Sequence, residues 1–160
     1  MSVRVCFVCL GNICRSPTAE AAMLRLLENE QLTASIDVDS AGTGHWHVGE
    51  PPDRRSAMAG KRRGLNIQGR ARQVTAEDFH HFDYLVAMDR SNLENLSRLA
   101  PGEGARAKVV LFRNFDPSSP PDADVPDPYY GEGDGFEKVL DICEAACRGL
   151  LQHVRESHRL

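Results

Sequence analysis

The sequence predicts an α/β fold: a single domain, residues 1–160, built on a doubly wound sheet of four parallel strands flanked by helices on both faces. Three observations predict it. Four short apolar runs alternate with helical patterns along the chain, which is the rhythm of βαβ units. The first run, VRVCFV, is almost continuously apolar, as a strand buried on both faces must be. A length of 160 residues suits one domain, and no internal repeat or linker divides it.

Each element follows from its residues. Val3 to Val8 is the first strand. Ser16 and Pro17 open a helix reaching about Glu30, with serine as the cap and proline in the first turn, where no N–H is needed. Ala21, Met23, Leu24 and Leu27 are its expected apolar face. Ile36 to Ala41 alternates as a second strand, ended by Gly42 and Gly44. GHWHVGEPPDRR reads as a loop. A short helix from about Asp53 to Arg63 stops before Gly64. Thr75 and Asp78 in TAEDF have the spacing of a capping box and announce another short helix. Asp83 to Met88 is the third strand, and Ser91 to Ala100 a helix stopped by Pro101-Gly102. Lys108 to Phe112 is the fourth strand. Asp116 to Gly135 is a long loop rich in proline, aspartate and glycine, of the kind that carries function. From Gly135 to His158, Phe136, Val139, Leu140, Cys143, Cys147, Leu150, Leu151 and Val154 recur at helical spacing.

Composition narrows the function. Hydrophobic content of 41% and charged content of 26% are ordinary for a soluble protein. A formal net charge of −4 is not the basic footprint of a nucleic-acid binder. No apolar stretch approaches the roughly 18 residues of a membrane span, and the first residues lack a signal-peptide pattern. An odd number of cysteines (Cys6, Cys9, Cys14, Cys143 and Cys147) argues against a disulfide framework. Together these features predict a cytoplasmic location, no membrane insertion and no nucleic-acid partner.

The segment Cys9-Leu10-Gly11-Asn12-Ile13-Cys14-Arg15-Ser16 carries the chemistry. It joins a strand to a helix N-terminus, where backbone N–H groups lack helical partners and converge on an anion. Gly11 lets the backbone curl, and Asn12 tolerates a left-handed conformation. Arg15 can hold two phosphate oxygens in a bidentate fork. A thiol at Cys9 in that field is expected to have a lowered pKa, with Ser16 donating to the thiolate. A nucleophile and an oxyanion cradle thus share one loop. Cys6 and Cys9 have zinc-like spacing, but Cys6 lies inside the strand and no second pair completes four ligands. No metal or cofactor is expected. His45 and His47 read as exposed loop residues. No Gly-Lys-Ser/Thr follows the loop, so it is not a nucleotide P-loop.

VCLGNICRSPTAEA closely resembles the signature of the low-molecular-weight protein tyrosine phosphatases. Asp127-Pro128-Tyr129-Tyr130-Gly131 looks like the general-acid loop of that family. DSAGTGHWHVG (Asp39 to Gly49), ARQVTAEDFHHFDYLVAMDRSN (Ala71 to Asn92) and NFDP (Asn114 to Pro117) extend the match, in order, over nearly the whole chain. The resemblance implies that Cys9 is a nucleophile forming a phosphocysteine. It implies that Arg15 binds phosphate and stabilises the transition state, and that Asp127 is the general acid and then the base. Gly11, Asn12, Ile13, Cys14 and Ser16 would complete the phosphate cradle. Leu10, Trp46, Tyr129 and Tyr130 would wall a cleft deep enough for phosphotyrosine, although core packing is an equal alternative for Trp46. The implied partner is a phosphotyrosine protein substrate, with a bacterial tyrosine kinase as a candidate. The resemblance also implies a reversible Cys9–Cys14 disulfide and phosphorylation at Tyr129 or Tyr130.

One departure stands out. In some relatives a histidine and an acid join Asn12, Ser16 and Ser40 in holding the loop, and the positions expected to supply them here are Gly69 and Arg90. Bracing is therefore expected from Ser40 and Asn12 alone. Asp89 matches a family carboxylate that either braces the loop or caps the next helix. Two other readings are open. A thioredoxin-coupled arsenate reductase shares the fold but needs further cysteines in a mobile segment. Thr75 to Gly104 has none, and Cys143 and Cys147 fall within a helix. A non-catalytic phosphotyrosine-binding module would need no nucleophile.

Overall fold

The computed structural model describes residues 2–131 and 133–160. Its sheet holds β1 (Val3–Cys9), β2 (Ile36–Gly42), β3 (Tyr84–Ala87) and β4 (Val109–Leu111) in the order β2-β1-β3-β4, every pair parallel. Between the strands run α1 (Arg15–Asn29), α2 (Arg54–Arg62), α3 (Asp78–His81), α4 (Arg90–Leu99) and α5 (Glu103–Arg106). A single 3-10 turn (Phe112–Phe115) follows β4, and α6 (Gly135–His158) closes the chain.

β1 is central and buried on both sides, which explains its unbroken apolar run. Alternate residues face opposite layers. Val5, Phe7 and Cys9 pack with Met23 and Leu27 of α1 and with Leu140, Cys143, Cys147 and Leu150 of α6. Cys6 and Val8 pack with Phe79, Phe82 and Leu96 on the other side. Cys6 and Cys9 therefore point to opposite faces, and their zinc-like spacing brings no shared site. Phe7 meets Phe112 edge-on, with ring centroids 5.2 Å apart.

The strand order places the site. After β2 the chain crosses over β1 to lay β3 on its other edge, so the direction of winding reverses between β1 and β3. In such sheets the crevice opens at the carboxyl ends of the strands, at that switch point. Cys9 is the last residue of β1, while Met88 and Asp89 directly follow β3.

Several expected details change. Helix α1 starts at Arg15 with Cys14 in the cap position, so Ser16 is not the cap. Its hydroxyl is taken by Cys9 and Asn12 instead. Leu24 is 37% exposed; Ala19, Ala22, Met23 and Leu27 form the buried stripe, one helical step away. The capping box is half formed: the Asp78 carboxylate accepts from the Thr75 N–H at 2.8 Å, while the Asp78 N–H goes to the Thr75 carbonyl. Asp53 caps α2 by accepting from Arg55 N–H, and Asp89 caps α4 by accepting from Asn92 N–H. α5 and the 3-10 turn were not expected. At four residues each they are too short to leave a periodic pattern.

Candidate active site

Residues 9–15 curl around Cys9 Sγ. The Asn12 N–H points at that sulfur at 3.2 Å, and Ser16 Oγ lies 3.0 Å from it. Asn12 adopts φ 57°, the left-handed conformation expected of it. Its amide organises the loop: Nδ2 donates to Ser16 Oγ at 2.8 Å and to Ser40 Oγ at 3.0 Å, and Oδ1 accepts from Arg72 N–H at 3.0 Å. Ser40 Oγ in turn donates to Glu20 at 2.6 Å. Ser16 Oγ already accepts from Asn12. Its own proton has Cys9 Sγ near, with the Ala41 carbonyl more distant at 3.5 Å. The hydrogen bonds therefore run outward from the Asn12 amide, through Ser16 to the sulfur and through Ser40 to Glu20.

This overturns the expectation of a brace made by Ser40 and Asn12 alone. The acid comes from Glu20, one helical turn after Ser16 on α1. Burial raises its pKa, and the hydrogen bond from Ser40 works the other way. Arg72 supplies a second anchor: its guanidinium is held at 3.1 Å by both Asp39 and Asp78, so its backbone N–H is fixed for Asn12. Gly69 has φ +107°, with open space where a Cβ would sit. Gly42 lets β2 approach the loop; a Cβ there would lie 2.8 Å from the Leu10 carbonyl oxygen.

Arg15 is 4% exposed and reaches under the loop. Nη1 donates to Asp89 Oδ2 at 2.6 Å and to the Val125 carbonyl at 3.0 Å, while Nη2 lies 3.6 Å from Asp127 Oδ2. Burial disfavours its charge, but the Cys9 sulfur and the Asp89 carboxylate outweigh burial and raise its pKa. Asp89 does both things considered for it, since its other oxygen accepts from Asn92 N–H at 2.7 Å.

The segment carrying Asp127 is pinned on both sides. Before it, Val125 N–H donates to the Met88 carbonyl at 2.8 Å, and Arg113 donates to the Asp124 carbonyl at 2.9 Å. Arg90 binds the Asp124 carboxylate. After it, Arg55 donates to the Tyr129 carbonyl at 3.2 Å and lies over the Tyr129 and Phe136 rings, 5.4 and 4.8 Å from their centroids. Asp127 Oδ1 accepts from Tyr129 N–H at 3.0 Å, leaving Oδ2 toward Arg15.

These elements enclose a cleft of about 390 Å³. Cys9, Gly11, Ile13, Cys14 and Arg15 form its floor; Leu10, Trp46, Tyr129, Tyr130 and Asp127 rise around it. Asn12 and Ser16 lie behind the floor as supports rather than on its surface. Trp46, 65% exposed, is a wall and not a core residue. Its ring rests on Gly44, where a Cβ would meet it at 1.8 Å. His47, expected to be an exposed loop residue, is half-buried instead: it lines the cleft and stacks at a tilt on Tyr129, centroids 5.9 Å apart. A loop histidine has no periodicity to betray it; its neighbour Trp46 was the one available signal. Cys14 is buried in the loop, and desolvation pushes its thiol up to about 12, against a weaker effect of Ser56. Cys143 and Cys147 are buried in α6, far from the role of exposed resolving thiols.

Comparison with known proteins decides the family. The family model described as low molecular weight phosphotyrosine protein phosphatase matches residues 4–160. The chain belongs to this family. It is accordingly an enzyme of the protein-tyrosine-phosphatase class. The chain is 49% identical to a low molecular weight protein-tyrosine-phosphatase of Streptomyces coelicolor, over 98% of this chain and 96% of the relative. It is 42% identical to the human low molecular weight phosphotyrosine protein phosphatase, over 92% of this chain and 93% of the relative. A crystal structure of a protein tyrosine phosphatase from Entamoeba histolytica, with Hepes in the active site, superposes with a TM-score of 0.93 at 41% identity, covering 98% of this chain and 99% of that one. Among the described residues of the phosphatase, no helix is long and apolar enough to cross a membrane.

Proposed function

We propose that the phosphatase hydrolyses phosphotyrosine monoesters on proteins through a phosphocysteine at Cys9. One observation carries this reading: Cys9, Arg15 and Asp127, drawn from opposite ends of the chain, line the same cleft. The Cys9 sulfur anion attacks phosphorus, the bond to the tyrosyl oxygen breaks, and Asp127 gives that oxygen its proton. Water then attacks the phosphocysteine, Asp127 takes a proton from the water, and the S–P bond breaks to release phosphate. Arg15 has Nη1 occupied by Asp89 and Val125, which leaves its Nη2 edge for phosphate oxygens on the side facing Asp127. The Ser16 proton and the Asn12 N–H solvate the sulfur as it leaves phosphorus.

Trp46 and Tyr129 rise beside the floor, and a phosphate seated there puts the substrate ring between them. A phosphoserine side chain is too short to use that wall. In this reading the chain works as one phosphatase domain in the cytoplasm. Its five unpaired thiols suit that compartment, and proteins modified by a bacterial tyrosine kinase are suitable substrates. Cys9 and Cys14, in one loop, form a protective disulfide under oxidation.

Rapid acid quench during turnover of p-nitrophenyl phosphate, followed by peptide mass spectrometry, tests the reading. A phosphate adduct on Cys9, absent from Cys9→Ser, is expected. Turnover retained by Cys9→Ser, or an adduct on another residue, overturns the assignment.

A further inference from the structure

We infer that the groove on the far side of Trp46 is a subsite for an apolar side chain that flanks the phosphotyrosine in a protein substrate. This rests on the phosphotyrosine reading above and adds a sequence preference to it.

The groove holds about 330 Å³ and runs from the loop after β2 to the end of α4. It shares Leu10 and Trp46 with the catalytic cleft, so one indole separates the two cavities. Val74 and Leu99 complete its apolar part, and Thr43 with the amides of Gln73 and Asn95 supplies a polar, uncharged part of similar extent. No charged side chain among the described residues lines it, in a chain that is 26% charged. Leu10 and Leu99 are each 40% exposed and Trp46 more so. Large apolar groups left in water at one place mark a binding surface.

The occupant follows from continuity with the cleft. A substrate whose phosphotyrosine stands on the loop must lay its neighbouring residues across the rim. On the Tyr129 side the rim carries charge beside its tyrosines: Arg55 is paired with Asp53 at 2.9 Å, and His47 with Glu50 at 2.9 Å. On the Trp46 side the next surface is this uncharged groove. The two flanks of the substrate therefore differ, and an aliphatic side chain on the Trp46 flank enters a groove free of charge, while the other flank meets ion pairs around the tyrosines. Trp46 rests on Gly44 and stacks with the His45 ring at 5.3 Å, contacts that stand the indole between the two cavities.

The test uses phosphotyrosine peptides in a glycine-serine background, with a single leucine moved through three positions on each side, and reads kcat/KM by phosphate release. Leucine on one flank only should raise kcat/KM by about ten-fold, the worth of a largely buried aliphatic side chain. Leu99→Asp should reduce that preference to within about two-fold while leaving p-nitrophenyl phosphate turnover unchanged, which also shows that the variant is folded. Leu99→Asn is read in the same way if the aspartate variant loses turnover. Equal rates for all leucine positions, or a preference that survives both Leu99 variants, overturns the subsite and leaves the phosphatase reading standing. Wild-type protein that hydrolyses p-nitrophenyl phosphate but no phosphotyrosine peptide overturns the substrate reading, and the subsite falls with it.

Discussion

Arg90 holds the Asp124 carboxylate with its backbone N–H at 2.9 Å and with Nε and Nη2 at 3.3 Å each. The basic residue expected to mark a lost brace of the loop is thus a clamp on the segment that carries Asp127, three residues before it. The pair holds the Asp124 pKa below the usual carboxylate range. It is largely exposed, so its removal should cost little. Arg90→Ala is expected to lower kcat for phenyl phosphate by roughly two- to five-fold. The loss with p-nitrophenyl phosphate should be smaller, because that leaving group needs less help from the acid. Equal losses for the two esters would mean that Arg90 does not position Asp127.

Asp127 itself should show the same signature on a larger scale. Its carboxylate is pre-aimed by the Tyr129 N–H, with the free oxygen on the Arg15 side of the cleft. General acid catalysis contributes about 10²–10⁴ in rate. Asp127→Ala should lose that much on alkyl-substituted phenyl phosphates and much less on activated nitrophenyl esters. A flat loss across a leaving-group series would assign the proton to another donor.

How much of this was legible in sequence depends on where each partner comes from. α6 was readable end to end because 24 residues repeat one apolar face, and β1 because both its faces are buried. The loop from Cys9 to Ser16 was readable because its parts are adjacent in sequence. Its brace was not. Glu20, Ser40 and Arg72 come from a helix, a strand and a loop, and they meet only because β2 pairs with β1 in one register, Phe7 opposite Ser40. The Arg90–Asp124 clamp was hidden for the same reason: the partners are 34 residues apart, and neither residue type is unusual in its own segment.

The brace makes a prediction about pH. Burial raises the Glu20 pKa, so the folded protein keeps a proton there at pH values where the unfolded chain has released it. The stability linked to this group is complete below the ordinary carboxylate value of 4.5 and declines as pH rises through the higher folded value. Glu20→Gln keeps an acceptor for Ser40 and removes the titration. Its Tm relative to wild type should therefore climb between pH 4.5 and pH 7, and its activity should stay within a few-fold. Glu20→Ala, lacking the acceptor, should lose more activity than the glutamine variant. Parallel Tm curves for wild type and Glu20→Gln across this range would remove Glu20 from the account.

Trp46 is the only tryptophan in the chain, which makes the wall of the cleft directly observable. A methyl group on Gly44 cannot coexist with the indole where it lies. Gly44→Ala should swing the ring outward, change the intrinsic fluorescence, and raise KM for phosphotyrosine peptides by roughly two- to ten-fold, the range of one lost aromatic contact. The kcat for p-nitrophenyl phosphate should hardly move. Unchanged fluorescence and KM would show that the wall does not depend on this contact.

Oxidation should follow the same asymmetry between the two loop cysteines. Cys14 is held as a thiol, its pKa pushed up to about 12 mainly by burial, and a thiol is a poor reductant for peroxide. Cys9 is the sulfur that the Asn12 N–H and the Ser16 hydroxyl face. On the proposed reading, peroxide should transfer one oxygen to it, giving a sulfenic acid and water, and the Cys14 sulfur should then attack, forming the S–S bond as a second water leaves. Dithiothreitol should restore activity fully. The tryptic peptide Val5–Arg15 carries Cys6 as well, but Cys6 faces the opposite layer, so fragment ions between Cys6 and Cys9 should persist while those between Cys9 and Cys14 disappear. Cys14→Ser should instead accumulate Cys9 sulfinate and lose activity irreversibly. Wild-type enzyme that forms Cys9 sulfinate with Cys14 still free would show that burial of Cys14 prevents the second step as well as the first.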